Sequence, residues 1–148
     1  MSKDDQTQEV TMLTIDRDYN ADSSVIVCRI AGEVETVTVS QFRQALAEVA
    51  SSPRVVIDLS KVTFVDSAGL GALIGGIRRT RELGGDVTVA CGRPVLMRLL
   101  RTTGFDRIVT IATTTGEAIQ ALTHSNGPDL PARKPGAEND GLGRRAVA

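Results

Sequence analysis

Short apolar runs rich in β-branched residues alternate along the chain with segments in which apolar residues recur at helical spacing. The runs predict about five strands, over residues 12–15, 24–30, 54–59, 86–91 and 108–111. Polar residues 19–22 lie between the first two runs and predict a hairpin. The run at 54–59 is typical of a strand buried on both faces of a parallel sheet.

Four segments carry apolar residues at helical spacing. Two of them begin with a capping-box pattern, Thr38 to Gln41 and Thr114 to Glu117, and a third begins at Pro94. The apolar positions are Phe42, Ala45, Leu46, Val49 and Ala50; Leu70, Leu73, Ile74 and Ile77; Val95, Leu96, Leu99 and Leu100; Ala118, Ile119, Ala121 and Leu122. This alternation predicts an α/β fold with a mixed, mainly parallel sheet, the first hairpin strand running antiparallel, and four main helices.

The stretch from Phe64 to Gly76 joins a predicted strand to a predicted helix. Asp66 and Ser67 supply the polar residues with which helices begin. Ser67 could be a helix cap, a nucleophile or a switch. Because Asp66 could cap the helix equally well, the Ser67 hydroxyl could be left available.

The same helix carries a second stripe of small residues, Ala68, Gly71, Ala72 and Gly75, beside the apolar stripe. Its glycines at 69, 71, 75 and 76 each cost roughly 0.5–1 kcal/mol relative to alanine in a helix interior. Two explanations stay open at this point. The small residues either pack tightly against the helix's own sheet or form a flat surface for a partner.

Length and composition predict one globular domain with loose ends. The 148 residues, 41% hydrophobic and 24% charged, suffice for a single core, which we place at residues 11–123. Residues 1–10 are expected to be flexible, and residues 124–148, rich in proline and glycine, to be a disordered tail. A net charge of -1 and 3% aromatic residues argue against a nucleic-acid partner. No signal peptide or membrane-spanning run is present, so we expect a cytoplasmic protein without a membrane partner.

No pattern in the sequence favours an enzyme. A nucleophile elbow would need glycine where Val65 stands, and His124, at the start of the tail, is the only histidine. The glycines after Ser67 lie inside the helix pattern and do not form a dinucleotide-binding turn, and no phosphate-binding loop or metal-ligand spacing occurs. Cys28 and Cys91 are expected to be buried reduced thiols. The sequence thus predicts neither a cofactor nor a metal.

The stretch from Asp58 to Gly71 resembles the signature of STAS domains, in particular that of bacterial anti-sigma factor antagonists. The resemblance extends to Gly32–Glu35 with Thr38 and to the segment from Thr103 to Ile108, and covers roughly residues 11–123. It implies a STAS fold and identifies Ser67, by position, as the residue that a serine-kinase anti-sigma factor phosphorylates. The unphosphorylated antagonist would bind the anti-sigma factor and free the sigma factor, phosphorylation would end the binding, and a serine phosphatase would restore it.

We expect a partner-binding surface that comprises Glu35, Asp66, Ser67, Ala68, Gly69, Gly71, Ala72 and Gly75. The resemblance implies the roles of Glu35 and Ser67, and the small residues of the helix would permit close docking. The chain departs from the family pattern at two of these positions. Glu35 stands where many members have aspartate, and Ala68 replaces a common serine or threonine, which leaves Ser67 as the hydroxyl at the helix start. The alternatives are a nucleotide-sensing STAS module and a non-switching scaffold in a stress-signalling complex.

Overall fold

The structure, a computed structural model, describes residues 13–126, with side chains up to residue 123. The strands are β1 Thr14–Asn20, β2 Val25–Val34, β3 Arg54–Val65, β4 Asp86–Ala90 and β5 Thr110–Ala112. The helices within the described residues are α1 Val39–Val49, α2 Ser67–Glu82, α3 Pro94–Thr102, α4 Phe105–Ile108 and α5 Thr115–Asn126. The expected flexible segment at 1–10 lies outside these residues. The tail was expected from residue 124, but α5 continues to Asn126, and the remainder lies outside the described residues.

The five strands form one sheet in the order β1-β2-β3-β4-β5. β1 pairs antiparallel with β2, and the other three neighbouring pairs are parallel. This confirms the mixed, mainly parallel sheet with an antiparallel first hairpin. The carboxyl ends of β2 to β5 consequently meet at one edge of the sheet, where β3 passes into α2.

Helices cover both faces of the sheet, but unequally. One face packs against buried residues of α1, α2, α3 and α4, among them Phe42, Leu46, Leu73, Ile77, Leu100 and Phe105. The other face forms a smaller cluster with α5, made by Val25, Val27, Val56, Ala90, Ala118 and Leu122. The core is aliphatic, with Phe42 and Phe105 as its buried aromatic residues among those described.

The first hairpin is longer than predicted. The strand expected at residues 12–15 extends to Asn20, which pairs with Val25, so the turn expected at 19–22 lies instead at 21–24. β1 is an edge strand and most of its side chains are exposed, so its sequence lacks the apolar alternation that would have marked the whole strand. β2 likewise continues to Val34, and this extension brings its end beside the start of α2.

The capping box predicted at Thr38 and Gln41 does not form. The Thr38 hydroxyl accepts a hydrogen bond from the Glu35 amide and donates one to the Glu33 carbonyl, so it closes the loop before α1. The Gln41 side chain binds the backbone of Leu13 through both its oxygen and its nitrogen. A contact across 28 residues therefore replaced the local cap.

Only one of the two hydrogen bonds of the capping box predicted at Thr114 and Glu117 forms. The Thr114 hydroxyl accepts from the Glu117 amide at 3.1 Å. The Glu117 carboxylate, however, accepts from the amide and hydroxyl of Thr113 and not from the Thr114 amide.

The region of α3 and α4 corrects two predictions. Val95 was expected in the core but is 81% exposed, and Met97 is buried in its place. Ile108 was expected to begin a strand, but it ends the short helix α4, and β5 begins two residues later. Gly104, with a φ of 86°, stops α3, and the turn it starts buries Phe105. That burial fixes the local conformation more strongly than the β-branched pattern does.

The two cysteines are free and buried, as predicted. Cys28 lies on β2 and Cys91 just beyond the end of β4, with β3 between them. Two strand spacings amount to about 9–10 Å, whereas a disulfide needs Cα atoms within about 7 Å. Burial raises the pKa of the Cys28 thiol to about 11 and also raises that of Cys91, so both are held as unreactive thiols.

Candidate functional site

The candidate site lies at the carboxyl edge of the sheet, where β3 ends and α2 begins. Val65, the last residue of β3, pairs with Val34, the last residue of β2. The amide of Asp66 then donates to the Val34 carbonyl at 3.1 Å. The end of β2 thus fixes the backbone position from which α2 starts.

Asp66 caps α2 and also holds the neighbouring loop. One carboxylate oxygen accepts from the Gly69 amide at 2.9 Å, and the other accepts from the amide and hydroxyl of Thr36 at 3.0 and 3.3 Å. The Gly69 amide, assisted by the two Thr36 donors, holds the pKa of the Asp66 carboxyl below its usual value. Asp66 is therefore ionised at neutral pH and joins two segments that are 30 residues apart.

Ser67 is the first residue of α2, and its side chain is exposed. Because Asp66 supplies the cap, the Ser67 hydroxyl is not needed to satisfy a backbone amide. It makes no hydrogen bond to any residue in the described part of the chain. Of the roles that the sequence left open, helix capping belongs to Asp66, and the serine is an accessible hydroxyl at a helix N-terminus.

The small residues of α2 divide between the inside and the outside of the protein. Gly69 and Ala72 were predicted to belong to the partner-binding surface, but both are buried. A Cβ on Gly69 would lie 2.7 Å from the Val34 carbonyl oxygen, so this position must be glycine for α2 to approach β2. These two residues belong to the internal packing, which corrects their assignment.

Gly71 and Gly75 are exposed, and a Cβ on either would have no heavy atom within 4 Å. Together with Ser67 they recur every fourth residue, along about 12 Å of the exposed face of α2. Ala68 is half-buried beside them. Of the two explanations that the sequence left open, tight packing applies to Gly69 and Ala72, whereas Gly71 and Gly75 face outward.

Glu35 lies in the loop that Asp66 holds. Its backbone forms a tight turn with Thr38, and its half-buried side chain makes no hydrogen bond or ion pair with the described residues. Since its neighbour Thr36 is bonded to Asp66, which precedes Ser67, the fold brings Glu35 and Ser67 to the same edge of the sheet. The structure therefore allows Glu35 and Ser67 to belong to one binding surface, which stays a prediction.

Three residues of this edge were missed by sequence reasoning. Thr36 binds Asp66, and Val37 and Phe64 are exposed apolar side chains, at 67% and 49%. Val37 lies in the loop held by Asp66, and Phe64 lies three residues before Ser67. An aromatic residue at the end of a strand in a chain with three phenylalanines was the one available signal for Phe64.

A cavity of about 10 Å³ lies beneath the first turns of α2. Its lining is apolar and includes Val34, Val65, Leu70 and Leu100. That volume corresponds to about one water molecule, so this cavity is far too small for a nucleotide. No group of three or more potential metal ligands occurs within the described residues, and no helix among them has the length and apolar character needed to cross a bilayer.

Comparison with known proteins gives consistent matches over the described domain. A family model for the STAS domain matches residues 16–118. The anti-sigma-B factor antagonist of Listeria monocytogenes is 30% identical over 90 residues, which cover 60% of this chain and 79% of the relative.

Solved structures of anti-sigma factor antagonists share the fold of this chain. The crystal structure of an anti-sigma factor antagonist from Mycobacterium paratuberculosis matches with 29% identity and a TM-score of 0.68, over 74% of this chain and 93% of that one. The phosphorylated form of SpoIIAA, a Bacillus cell fate determinant, shares the fold at 20% identity and a TM-score of 0.55, over 74% of this chain and 99% of that one.

Proposed function

Because the chain belongs to the STAS domain family, we propose that it is an anti-sigma factor antagonist whose binding is switched by phosphorylation of Ser67. In the unphosphorylated form it binds an anti-sigma factor, and the sigma factor is released. The anti-sigma factor is also the serine kinase, and a serine phosphatase restores the binding form. The observation that carries the proposal is the exposed Ser67 hydroxyl at a helix start that Asp66 already caps.

The helix start can accept a phosphate without unfolding. The first turn of an α-helix presents amide groups and the positive end of the helix dipole, which favour an anion. Ser67 makes no internal hydrogen bond among the described residues that modification would break. We therefore expect the modified chain to keep its fold, so that the effect of phosphorylation falls on binding.

The surroundings of Ser67 explain how a phosphate would expel a partner. Phosphorylation adds about 1.5–2 negative charges next to the ionised Asp66 and on the same edge as Glu35. A partner that docks there would have to bury this charge or bring an acidic group of its own close to it. Desolvation and repulsion both weaken such a complex.

Gly71 and Gly75 support a docking role for the exposed face of α2. Each costs helix stability, and nothing inside the protein needs the missing Cβ. A bare helix surface lets a partner approach the backbone closely, and the exposed Val37 and Phe64 offer apolar contacts beside Ser67. The proposed surface therefore comprises Glu35, Val37, Phe64, Asp66, Ser67, Ala68, Gly71 and Gly75.

In this proposal the chain is a regulator and a kinase substrate, and it has no catalytic residue of its own. The exchange of partners takes place in the cytoplasm, where ATP and the transcription machinery are present. Neither a metal nor a cofactor takes part.

The test is phosphorylation of the purified chain by its cognate anti-sigma factor with ATP, followed by mass spectrometry of its peptides. We expect one phosphate, on Ser67. Ser67→Ala should bind the anti-sigma factor in the presence of ATP without being inactivated. Ser67→Glu should weaken binding in calorimetry by about tenfold or more.

Ser40 provides the matched control, because it is also an exposed serine in the first turn of a helix, α1. Ser40→Glu adds the same charge and should leave binding unchanged. Phosphate found on a residue other than Ser67 would contradict the proposal. Full binding by Ser67→Glu would instead favour the non-switching scaffold.

A further inference from the structure

The charges of the chain are distributed unevenly, although its net charge is only -1. Residues 13–66 carry eight carboxylates and five basic side chains, whereas residues 67–126 carry four carboxylates and seven arginines. The ion pairs of Arg17 with Glu48 and of Arg29 with Asp18 and Asp58 all lie in the first part. Within the described residues, no arginine after residue 66 has a carboxylate within 4 Å.

Five of these arginines lie around the junction of α2, α3 and α4. The Arg81 guanidinium donates to the Ile108 carbonyl at 2.7 Å and so holds the end of α2 against α4. The Arg107 amide donates to the Gly104 carbonyl, and the Gly104 amide donates to the Arg101 carbonyl. Arg78 and Arg98 lie one turn before Arg81 and Arg101, on the same side of their helices. We call this set, Arg78, Arg81, Arg98, Arg101 and Arg107 with the exposed Ile108, the arginine surface.

The arginine surface is unfavourable to the isolated protein. All five arginine side chains are exposed, and the pairs Arg78–Arg81 and Arg98–Arg101 place like charges at a spacing that destabilises helices. The helix dipole accounts for Arg81 and Arg101, which lie in last turns, but not for Arg78 and Arg98. Glu82 and Asp106 are close in sequence, yet neither forms an ion pair with any arginine between residues 13 and 126.

The composition of the surface indicates what could bind it. Arginine presents planar donors that match carboxylates, and it is enriched at protein interfaces. Ile108, which is 40% exposed, offers an apolar contact beside these donors. Glu82 and Asp106, which are the chain neighbours of Arg81 and Arg107, would repel a continuous row of phosphates. A protein partner can avoid them, because its own charges need not be uniform.

We propose that the arginine surface is a second interaction surface, which binds an acidic segment of a protein partner independently of Ser67. Its nearest residue on α2, Arg78, comes 11 positions after Ser67, which is about 16 Å along the helix axis. A partner could therefore occupy it whether or not Ser67 is phosphorylated.

The test uses the full chain and a fluorescein-labelled peptide of glutamate and leucine, with the same peptide carrying glutamine for glutamate as reference. We expect the glutamate peptide to bind at least about tenfold more tightly in anisotropy titrations, with an affinity that falls as salt rises. Arg98→Gln combined with Arg101→Gln should weaken binding about fivefold or more. Ser67→Glu should leave it unchanged, so this result is separate from that of the Ser67 switch.

Arg43→Gln combined with Lys61→Gln is the matched control. Both side chains are exposed and lie outside the arginine surface, and the double variant removes the same total charge. This control should bind the peptide within about twofold of the original chain. The Arg98 and Arg101 variant should unfold at a temperature close to that of the original chain, since the repulsion that it removes offsets the helix-dipole interaction lost at Arg101. Equal binding of the two peptides, or equal losses in the two double variants, would overturn the proposal.

Two further measurements test whether a different ligand occupies the arginine surface. A DNA duplex or a phosphatidylserine vesicle that binds more tightly than the peptide, and loses binding in the Arg98 and Arg101 variant, would show a phosphate-binding surface and contradict an acidic protein partner. A dimer in sedimentation velocity that the same variant dissociates would assign the surface to a second copy of this chain and would also contradict the proposal.

Discussion

Helix α2 contains two pairs of glycines that look alike in the sequence but have opposite surroundings. A Cβ on Gly69 would meet the Val34 carbonyl oxygen at 2.7 Å, and one on Gly76 would meet the Leu46 side chain at 2.6 Å. A Cβ on Gly71 or Gly75 would have no atom within 4 Å. The first pair lets the helix pack against β2 and α1, whereas the second pair leaves its outer surface bare.

This difference separates what the fold needs from what a binding surface needs. Gly69 is necessary for α2 to start against the end of β2, and that start places Ser67 at the exposed edge. Gly71 and Gly75 stabilise nothing inside the molecule, so their cost must be explained outside it. Substitutions at the two pairs should therefore change stability in opposite directions.

The largest effect is expected for Gly69→Ala. The new methyl group would overlap a backbone carbonyl, which cannot rotate away, so the helix start must shift and the free energy of unfolding should fall by about 1–3 kcal/mol. Denaturant unfolding measures this loss. An unchanged or higher stability would mean that α2 does not approach β2 this closely.

The combined change Gly71→Ala and Gly75→Ala should have the opposite sign. Each alanine favours the helix by about 0.5–1 kcal/mol, and both methyl groups enter open space, so the free energy of unfolding should rise by about 1–2 kcal/mol. Calorimetry with the anti-sigma factor should show weaker binding by the same variant. Higher stability with unchanged binding would exclude this face of α2 from the interface.

Gly76→Ala should change stability by less than about 1 kcal/mol. The nearest atom is the end of the flexible Leu46 side chain, which can rotate, although its Cβ also lies close, at 3.1 Å. The helix preference for alanine offsets part of the remaining strain. A loss as large as that of Gly69→Ala would show that α1 and α2 have no freedom to adjust.

The smallest effect is expected in the way that the hydrogen bonds of Asp66 stabilise the protein at different pH. The pKa of this carboxyl is lowered in the folded protein, so its contribution to stability is present above its unfolded pKa, near about 4, and is lost as the pH falls through the folded value. Asp66→Asn should therefore lower the melting temperature more at pH 7 than at pH 3. Asp106→Asn, at an exposed carboxylate without a hydrogen bond or ion pair among the described residues, is the control. If Asp66→Asn lowered the melting temperature equally at pH 7 and pH 3, the stabilising role of the ionised Asp66 carboxylate would be contradicted.

Part of the fold could be predicted because its signals are local. The buried strand β3 and the Asp66–Ser67 start of α2 both follow from short patterns. Thr38 and Gln41 show the limit of this reasoning. Their pattern is that of a cap, but the hydroxyl binds Glu33 and Glu35 and the amide binds Leu13.

The candidate site divides in the same way. Ser67 and Asp66 could be found from their place between a strand and a helix. Thr36 and Val37 could not, because the loop reaches Asp66 only when β2 and β3 pair across about 30 residues. For Phe64, its place at the end of a strand was the one signal. Gly69 and Ala72 were assigned to the surface for a related reason: helical spacing groups residues on one side of α2 but does not show which neighbour covers them.

The sequence alone determined the order of the five strands and the four main helices, the aliphatic core and the serine at the start of α2, because each depends on residues close together in the chain. Tertiary structure decided which glycines of α2 are inside, which oxygen caps the helix and which side chains surround Ser67. These depend on where β2 and α1 lie against α2, and close packing, rather than residue type, sets the space that each position has. The chain pattern thus places the proposed switch residue, Ser67, at the start of α2, and the packing leaves it exposed.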